Sequence, residues 1–169
     1  QAHLDIINKL SKDGKVAPVA VCDVWDGAEE EYEIDRDGKK EKRLYSQGLY
    51  PSAKKVGLKP DDTRHVVKDY RRLLDLKEVD IACIATPDHW HAIITLAALR
   101  AGKDVYCEKP LTHNIHEAVE VMRAVVENKR VLQTGSMQRS SKEFRVACEL
   151  VRNGAIGRVQ RVACQFGDA

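Results

Sequence analysis

No run of apolar residues in this chain approaches the roughly 18 needed to span a membrane, and no leader pattern is visible at its start, where the sequence already reads as the inside of a fold. The five cysteines, Cys22, Cys83, Cys107, Cys148 and Cys164, contain no CxxC pair. That argues against the common zinc and thiol-redox motifs, and Cys22, Cys83, Cys107 and Cys164, which fall in expected strands, read as small buried hydrophobes in a reducing, cytoplasmic setting. Aromatic residues make up only 5% of the chain, beside 43% hydrophobic and 32% charged residues, an ordinary soluble globular profile. A net charge of +2 gives no bulk attraction to nucleic acid or membrane, and no basic stripe or DNA-reading module is present. The most consequential absence is a GxGxxG turn, the element that presents backbone N–H groups to a dinucleotide pyrophosphate at a helix N-terminus.

The 169 residues suffice for one good core and the start of a second domain. Residues His3 to Lys12 carry Leu4, Ile7 and Leu10 at helical spacing, with Gly14 as a stop. Val16 to Val24 reads as a buried strand containing Asp23 at its end. Ala28 to Arg43 holds seven acids and five bases and reads as a solvated helix end or a mobile insertion. A short helix over Ser46 to Val56 and a turn at Lys59-Pro60-Asp61-Asp62 follow.

From there strands and helices alternate. Strands are expected at His65–Lys68, Val79–Ala85, Asp104–Cys107 and Arg130–Thr134. Helices are expected at Tyr70–Leu76, His89–Arg100, Ile115–Asn128 and Ser141–Arg152. Short apolar strands separated by helices predict a doubly wound, Rossmann-type parallel α/β sheet, here without the strand that would precede the first helix. Ile156 to Phe166 alternates Val159, Val162 and Cys164 with polar neighbours, as the first strand of a half-exposed sheet would. The expected organisation is therefore a truncated dinucleotide-binding domain over residues 1–135. Residues 136–169 would form a connecting helix and the start of a second, α+β domain. The chain reads as a piece of a longer protein.

Chemistry concentrates between Ala85 and Leu111, which read Ala-Thr-Pro-Asp-His-Trp-His, an apolar helix, then Asp-Val-Tyr-Cys-Glu-Lys-Pro-Leu. In a parallel sheet the Thr86-Pro87 turn and Lys109, about 23 residues later, end two strands on the same edge, where open α/β sheets bind ligands. Lys109 supplies a movable cationic donor able to stabilise negative charge developing on oxygen, and Glu108 beside it can hold a ribose hydroxyl. Asp23, at an earlier strand end, can accept both adenosine ribose hydroxyls and repel a 2′-phosphate, favouring NAD over NADP; Trp25 and Asp26 would border the adenine. Asp88 stands where a helix N-cap is wanted. A metal site is not expected: His89 and His91 point ~200° apart on a helix, and His113 and His116 lack a completing acid or cysteine.

These motifs resemble the glucose–fructose oxidoreductase / inositol dehydrogenase / rhizopine-catabolism (Gfo/Idh/MocA) family of NAD(P)-dependent oxidoreductases, over nearly the whole chain. The resemblance implies that Thr86 and Pro87 line the cofactor and that His91 lies near the nicotinamide. It also implies that Gln138 contacts the cofactor, that Arg139 contacts substrate, and that Lys109 binds substrate and takes part in catalysis. It assigns the proton acceptor to a second domain outside this sequence. The implied activity is hydride transfer from a sugar, cyclitol or polyol to NAD, in a protein that is a homo-oligomer. Two other readings share the motifs: an NAD-dependent glycoside hydrolase, and a cofactor-fold sensor without chemistry. Without the pyrophosphate turn and the substrate domain, residues 1–169 alone are expected to bind cofactor weakly and to be inactive.

Overall fold

The computed structural model describes residues 2–36 and 39–164. Helix α1 (Ala2–Lys12) leads through a loop to β1 (Val21–Cys22), the antiparallel pair β2 (Ala28–Arg36) and β3 (Lys39–Gln47), α2 (Leu49–Lys55), β4 (Val66–Val67) and α3 (Tyr70–Leu74). The second half runs β5 (Ile81–Ile84), a 3-10 turn at Asp88–Trp90, α4 (His91–Arg100), β6 (Asp104–Glu108), α5 (Ile115–Asn128), β7 (Leu132–Gly135), a 3-10 turn at Met137–Ser140 and α6 (Lys142–Arg152).

The expected βα alternation is present from Val66 onward. Strands β5, β6 and β7 form one parallel sheet in that order, with Ile84 opposite Cys107 and Glu108 opposite Gly135. Helices α4 and α5 are the crossovers, and the core lies beneath them. Ala82, Ile84, Val105 and Cys107 from the strands meet Ala98 and Leu99 of α4 and Val121 and Ala124 of α5. Burial along β5 alternates, with Ala82 and Ile84 inside and Ile81 59% exposed, so the face away from α4 and α5 is half-open. Asn114 caps α5 by accepting from the Glu117 N–H, while the Glu117 carboxylate accepts from the His113 N–H, a reciprocal capping box that sets this helix start.

Strands β1 and β4 pair in parallel as a separate two-stranded unit, Val21 opposite Val66. No strand joins this unit to β5–β7 among the described residues, which agrees with a Rossmann-type sheet without its first strand. The Val16–Val24 strand is accordingly reduced to two paired residues, because β4 offers only two partners. Leu49, Ala53 and Val66 pack a small second core between α2 and β4.

Two expectations fail. Ala28–Arg43, expected as a solvated helix end or a mobile insertion, is no helix end but most of an antiparallel ribbon built from residues 28–36 and 39–47. Acids on β2 face bases on β3, Glu33 opposite Lys42 and Asp35 opposite Lys40, and opposite charges directly across a ladder favour pairing. The ribbon enters and leaves between Gly27 (φ 108) and Gly48 (φ 97), which lie back to back: a Cβ on Gly48 would fall onto the Gly27 backbone. The second failure is the strand at Ile156–Phe166. Residues 156–164 form no strand, and 165–166 lie outside the described residues. Alternation proposes a strand, but a strand needs a neighbour for its backbone groups, and these residues have none. Helix α6 also keeps Phe144 and Leu150 exposed.

Candidate functional site

Parallel pairing brings three strand ends to one edge. Thr86 lies two residues past the end of β5, Lys109 one past the end of β6, and Ser136 one past the end of β7. Thr86, Pro87, Lys109, Gln138 and Arg139 are all exposed along this edge. The Lys109–Pro110 peptide bond is cis. Neither Lys109 nor Arg139 forms an ion pair among the described residues, so both cations stand open to a ligand.

Glu108 and Lys109 do not pair with each other through their side chains. Glu108 Oε2 accepts the Lys109 backbone N–H at 3.1 Å, and Oε1 lies 3.0 Å from His3 Nε2 of α1. Tyr106 packs edge-on against the same His3 ring, centroids 5.6 Å apart. Burial, and then the Glu108 carboxylate, push the Tyr106 phenol above its ordinary pKa. Opposite them, Gly135 leaves the room these side chains occupy: a Cβ there would sit 2.6 Å from Glu108 Oε1 and 2.8 Å from the Tyr106 hydroxyl. His3 and Gly135 are members of this constellation that sequence reasoning did not select. His3 is 105 positions from Glu108 with no motif around it; the glycine at a strand end was the available signal.

His91, expected near the nicotinamide, is an interior residue. It is 1% exposed, with Nδ1 2.7 Å from the Pro110 carbonyl oxygen and Nε2 2.8 Å from that of Thr86. Both ring nitrogens therefore face main-chain carbonyls. Asp88 does not take the expected N-cap place: it lies inside the 3-10 turn, Pro87 precedes that turn, and no side chain caps it.

Asp23 follows directly on β1 at the carboxyl end of the β1–β4 pair. Its Oδ1 accepts the Trp25 N–H at 3.0 Å, an Asx-type turn that fixes the carboxylate beside the exposed Trp25. Burial, with lesser contributions from Asp23 and Asp69, pushes the Cys22 thiol up to about 11, so Cys22 stays an uncharged packing residue rather than a thiolate. Cys107, also expected as a buried hydrophobe, is fully enclosed, whereas Cys83, Cys148 and Cys164 are exposed. Two clefts, of about 330 and 240 Å³, lie at Thr63–Leu76 and at Asp26–Pro60. Asp26, expected to border the adenine, lines the second. No described helix is long and apolar enough to cross a membrane.

A parallel β-α-β-α-β sheet with a free lysine, an anchored glutamate and two turns on its carboxyl edge defines a protein of the dinucleotide-binding α/β class. The family described as the oxidoreductase family with an NAD-binding Rossmann fold, GFO_IDH_MocA, matches residues 34–136, and the chain belongs to it. A levoglucosan dehydrogenase from Pseudarthrobacter phenanthrenivorans is 35% identical over 91 residues, 54% of this chain and 23% of that protein. An inositol 2-dehydrogenase from Salmonella typhimurium is 35% identical over 91 residues, 53% of this chain and 27% of that protein. Among solved structures, a 3-ketoreductase from Actinomadura kijaniata in complex with NADP superposes with a TM-score of 0.58 at 28% identity, covering 64% of this chain and 33% of that one. The chain thus spans between about a quarter and a third of the length of these relatives.

Proposed function

We propose that this chain is the dinucleotide-binding portion of an oxidoreductase that takes hydride from a hydroxyl-bearing carbon of a sugar, cyclitol or polyol. The observation that carries this reading is Lys109: an exposed ammonium without an ion-pair partner among the described residues, on the carboxyl edge, with its backbone held on the Glu108 carboxylate. Relatives named as levoglucosan and inositol dehydrogenases support the substrate class.

The residues fit a nicotinamide dinucleotide at its ribose and nicotinamide ends. Asp23 keeps Oδ2 for an adenosine ribose, which favours NAD, although the ketoreductase structure holds NADP. Thr86 and Pro87 would border the cofactor, Gln138 would contact it, and Gly135 leaves room for the Glu108 side chain at this edge. When bound, the nicotinamide supplies a hydride acceptor. Lys109 stabilises the oxygen that gains negative charge as the C–H bond breaks, and Arg139 holds a further substrate oxygen. The Glu108 carboxylate orients the Lys109 backbone and, with His3, fixes the edge from below; the proton leaves to a base outside residues 1–169. No glycine-rich turn is present in these residues to cradle a pyrophosphate, so residues 1–169 alone are expected to bind cofactor weakly and to be inactive. A cytoplasmic homo-oligomer is the expected form of the whole protein.

The test is absorbance at 340 nm on the protein as the cell makes it, with NAD and a panel of sugars, polyols and aryl glycosides. A rise with one polyol, reduced ~10²–10³-fold in kcat by Lys109→Ala, is the expected outcome. Glycoside cleavage that needs NAD without net reduction would replace this reading with the redox-assisted hydrolase. Unchanged turnover in the Lys109→Ala protein would remove the lysine from it.

A further inference from the structure

His91 begins α4, and its ring is closed off from solvent. It stands between two turns that close different strands. Nε2 reaches back five residues to the Thr86 carbonyl, and Nδ1 reaches forward nineteen to the Pro110 carbonyl. At 2.8 and 2.7 Å both contacts are far shorter than a C–H···O approach of ~3.3 Å, so nitrogens face both oxygens; both carbonyls accept, so the ring donates to both when each nitrogen carries a proton and to one of them otherwise. The ring is 1% exposed, and Ala92 behind it is buried in the β5–β6 core. The side chain therefore has a rigid base.

The consequence falls on Lys109, which is bracketed on both sides. The Glu108 carboxylate takes its backbone N–H, and His91 holds the carbonyl of the next residue. Its main chain is tied down from two directions while its side chain stays exposed. The Thr86-Pro87 turn is tied to the same ring.

From this geometry we infer that His91 is a positioning residue: one imidazole that clamps the β5-end turn to the β6-end turn and so fixes where the Lys109 ammonium emerges. The clamp stands on contacts within the chain; its value to catalysis rests on the Lys109 reading above.

The two contacts can be removed separately. Asparagine carries an amide nitrogen at the reach of Nδ1 and can keep Pro110; glutamine carries one at the reach of Nε2 and can keep Thr86. Phenylalanine fills the space and keeps neither. Amide hydrogen exchange on the whole chain, read by mass spectrometry, then reports each turn. His91→Asn is expected to speed exchange at Trp90 only, whose N–H donates to the Pro87 carbonyl, and His91→Gln at Lys109 only, whose N–H donates to the Glu108 carboxylate. His91→Phe should speed it at both, each by roughly tenfold, the factor for one hydrogen bond, with β5 and β6 amides unchanged. An identical pattern in all three variants, acceleration spread evenly through β5 and β6, or no change at either turn would overturn the clamp.

In the active protein the Phe variant is expected to lower kcat at least tenfold, since a misplacement of about 1 Å can cost ~10²-fold, and to raise KM for cofactor as the Thr86-Pro87 turn loosens. His91→Asn, which keeps the Lys109 side of the clamp, is expected to recover most of that loss. If the exchange pattern holds and kcat does not move, the clamp stands and the role given to Lys109 falls.

Discussion

Gly135→Ala is a perturbation whose cost can be worked from distances. The added Cβ would lie 2.6 Å from Glu108 Oε1 and 2.8 Å from the Tyr106 hydroxyl. Reaching an ordinary 3.4 Å contact asks Glu108 Oε1 to retreat by about 0.8 Å and the hydroxyl by about 0.6 Å. Both obstacles are the ends of side chains, so they can move without disturbing the ladder. Replacing glycine in a strand gains roughly 0.4–1 kcal/mol by restricting the unfolded chain. Moving Glu108 weakens its contact with His3, in which the side chains are 20% and 27% exposed, a loss of up to about 1 kcal/mol. The two nearly cancel. Urea denaturation should therefore show stability within about 1 kcal/mol of the parent, while the His3 ring resonances shift as the carboxylate leaves. A loss beyond about 2 kcal/mol would mean that the edge is packed too rigidly to give. An unmoved His3 would mean that this glycine makes no room for Glu108.

Gly48→Ala should behave in the opposite way. Its Cβ would strike the Gly27 backbone, and its φ of 97° disfavours any L side chain, so a loss of about 2–4 kcal/mol in the same urea assay is expected. Asn114→Ala removes the acceptor that holds the Glu117 N–H at 2.9 Å and should cost about 1 kcal/mol, read as a lower thermal midpoint with native spectra retained. A pH effect centres on His65. Its hydrogen bonds to Asp62, then to Glu78, raise it above the ordinary 6.5. The same contact with His65 depresses Asp62 below 3.8, and the backbone, then His65, depress Glu78 below 4.5. The histidine's contribution is complete below 6.5 and is lost as pH rises through its raised value. The carboxylates' contribution is complete above 4.5 and is lost as pH falls through their depressed values. Stability measured by urea against pH should peak between these limits and flatten in His65→Gln; an unchanged profile in that variant would contradict the assignment.

Local patterns in the sequence carried the second half of the fold. Helix α5 begins and ends at the expected Ile115 and Asn128, because its apolar face and its Asn114 cap are both written within the helix itself. The lysine at a strand end could be located for the same reason, since parallel pairing places every strand end on one edge. The ribbon was missed because its signal is relational. Glu33 and Lys42 mean little until they are laid opposite each other, and a dense mix of charges looks solvated when read singly. His3 and His91 share that difficulty: one meets a carboxylate 105 positions away, the other two carbonyls 24 residues apart in sequence. Conversely, the alternation at Ile156–Phe166 marked a segment suited to be a strand, and its described part has no neighbour to make it one.

The meeting of Gly27 and Gly48 makes the ribbon a detachable cassette. Its 20 residues leave and rejoin the fold at one point and pair with themselves along the whole described length. The entropy of closing the long excursion between β1 and β4 is therefore governed by a much shorter effective loop, and even that cost grows only logarithmically with length. The ribbon can be lengthened, recoloured in charge or replaced by a tight turn without re-registering Val21 against Val66. This makes it a position where change in length is accommodated while the carboxyl edge of β5, β6 and β7 stays where it is.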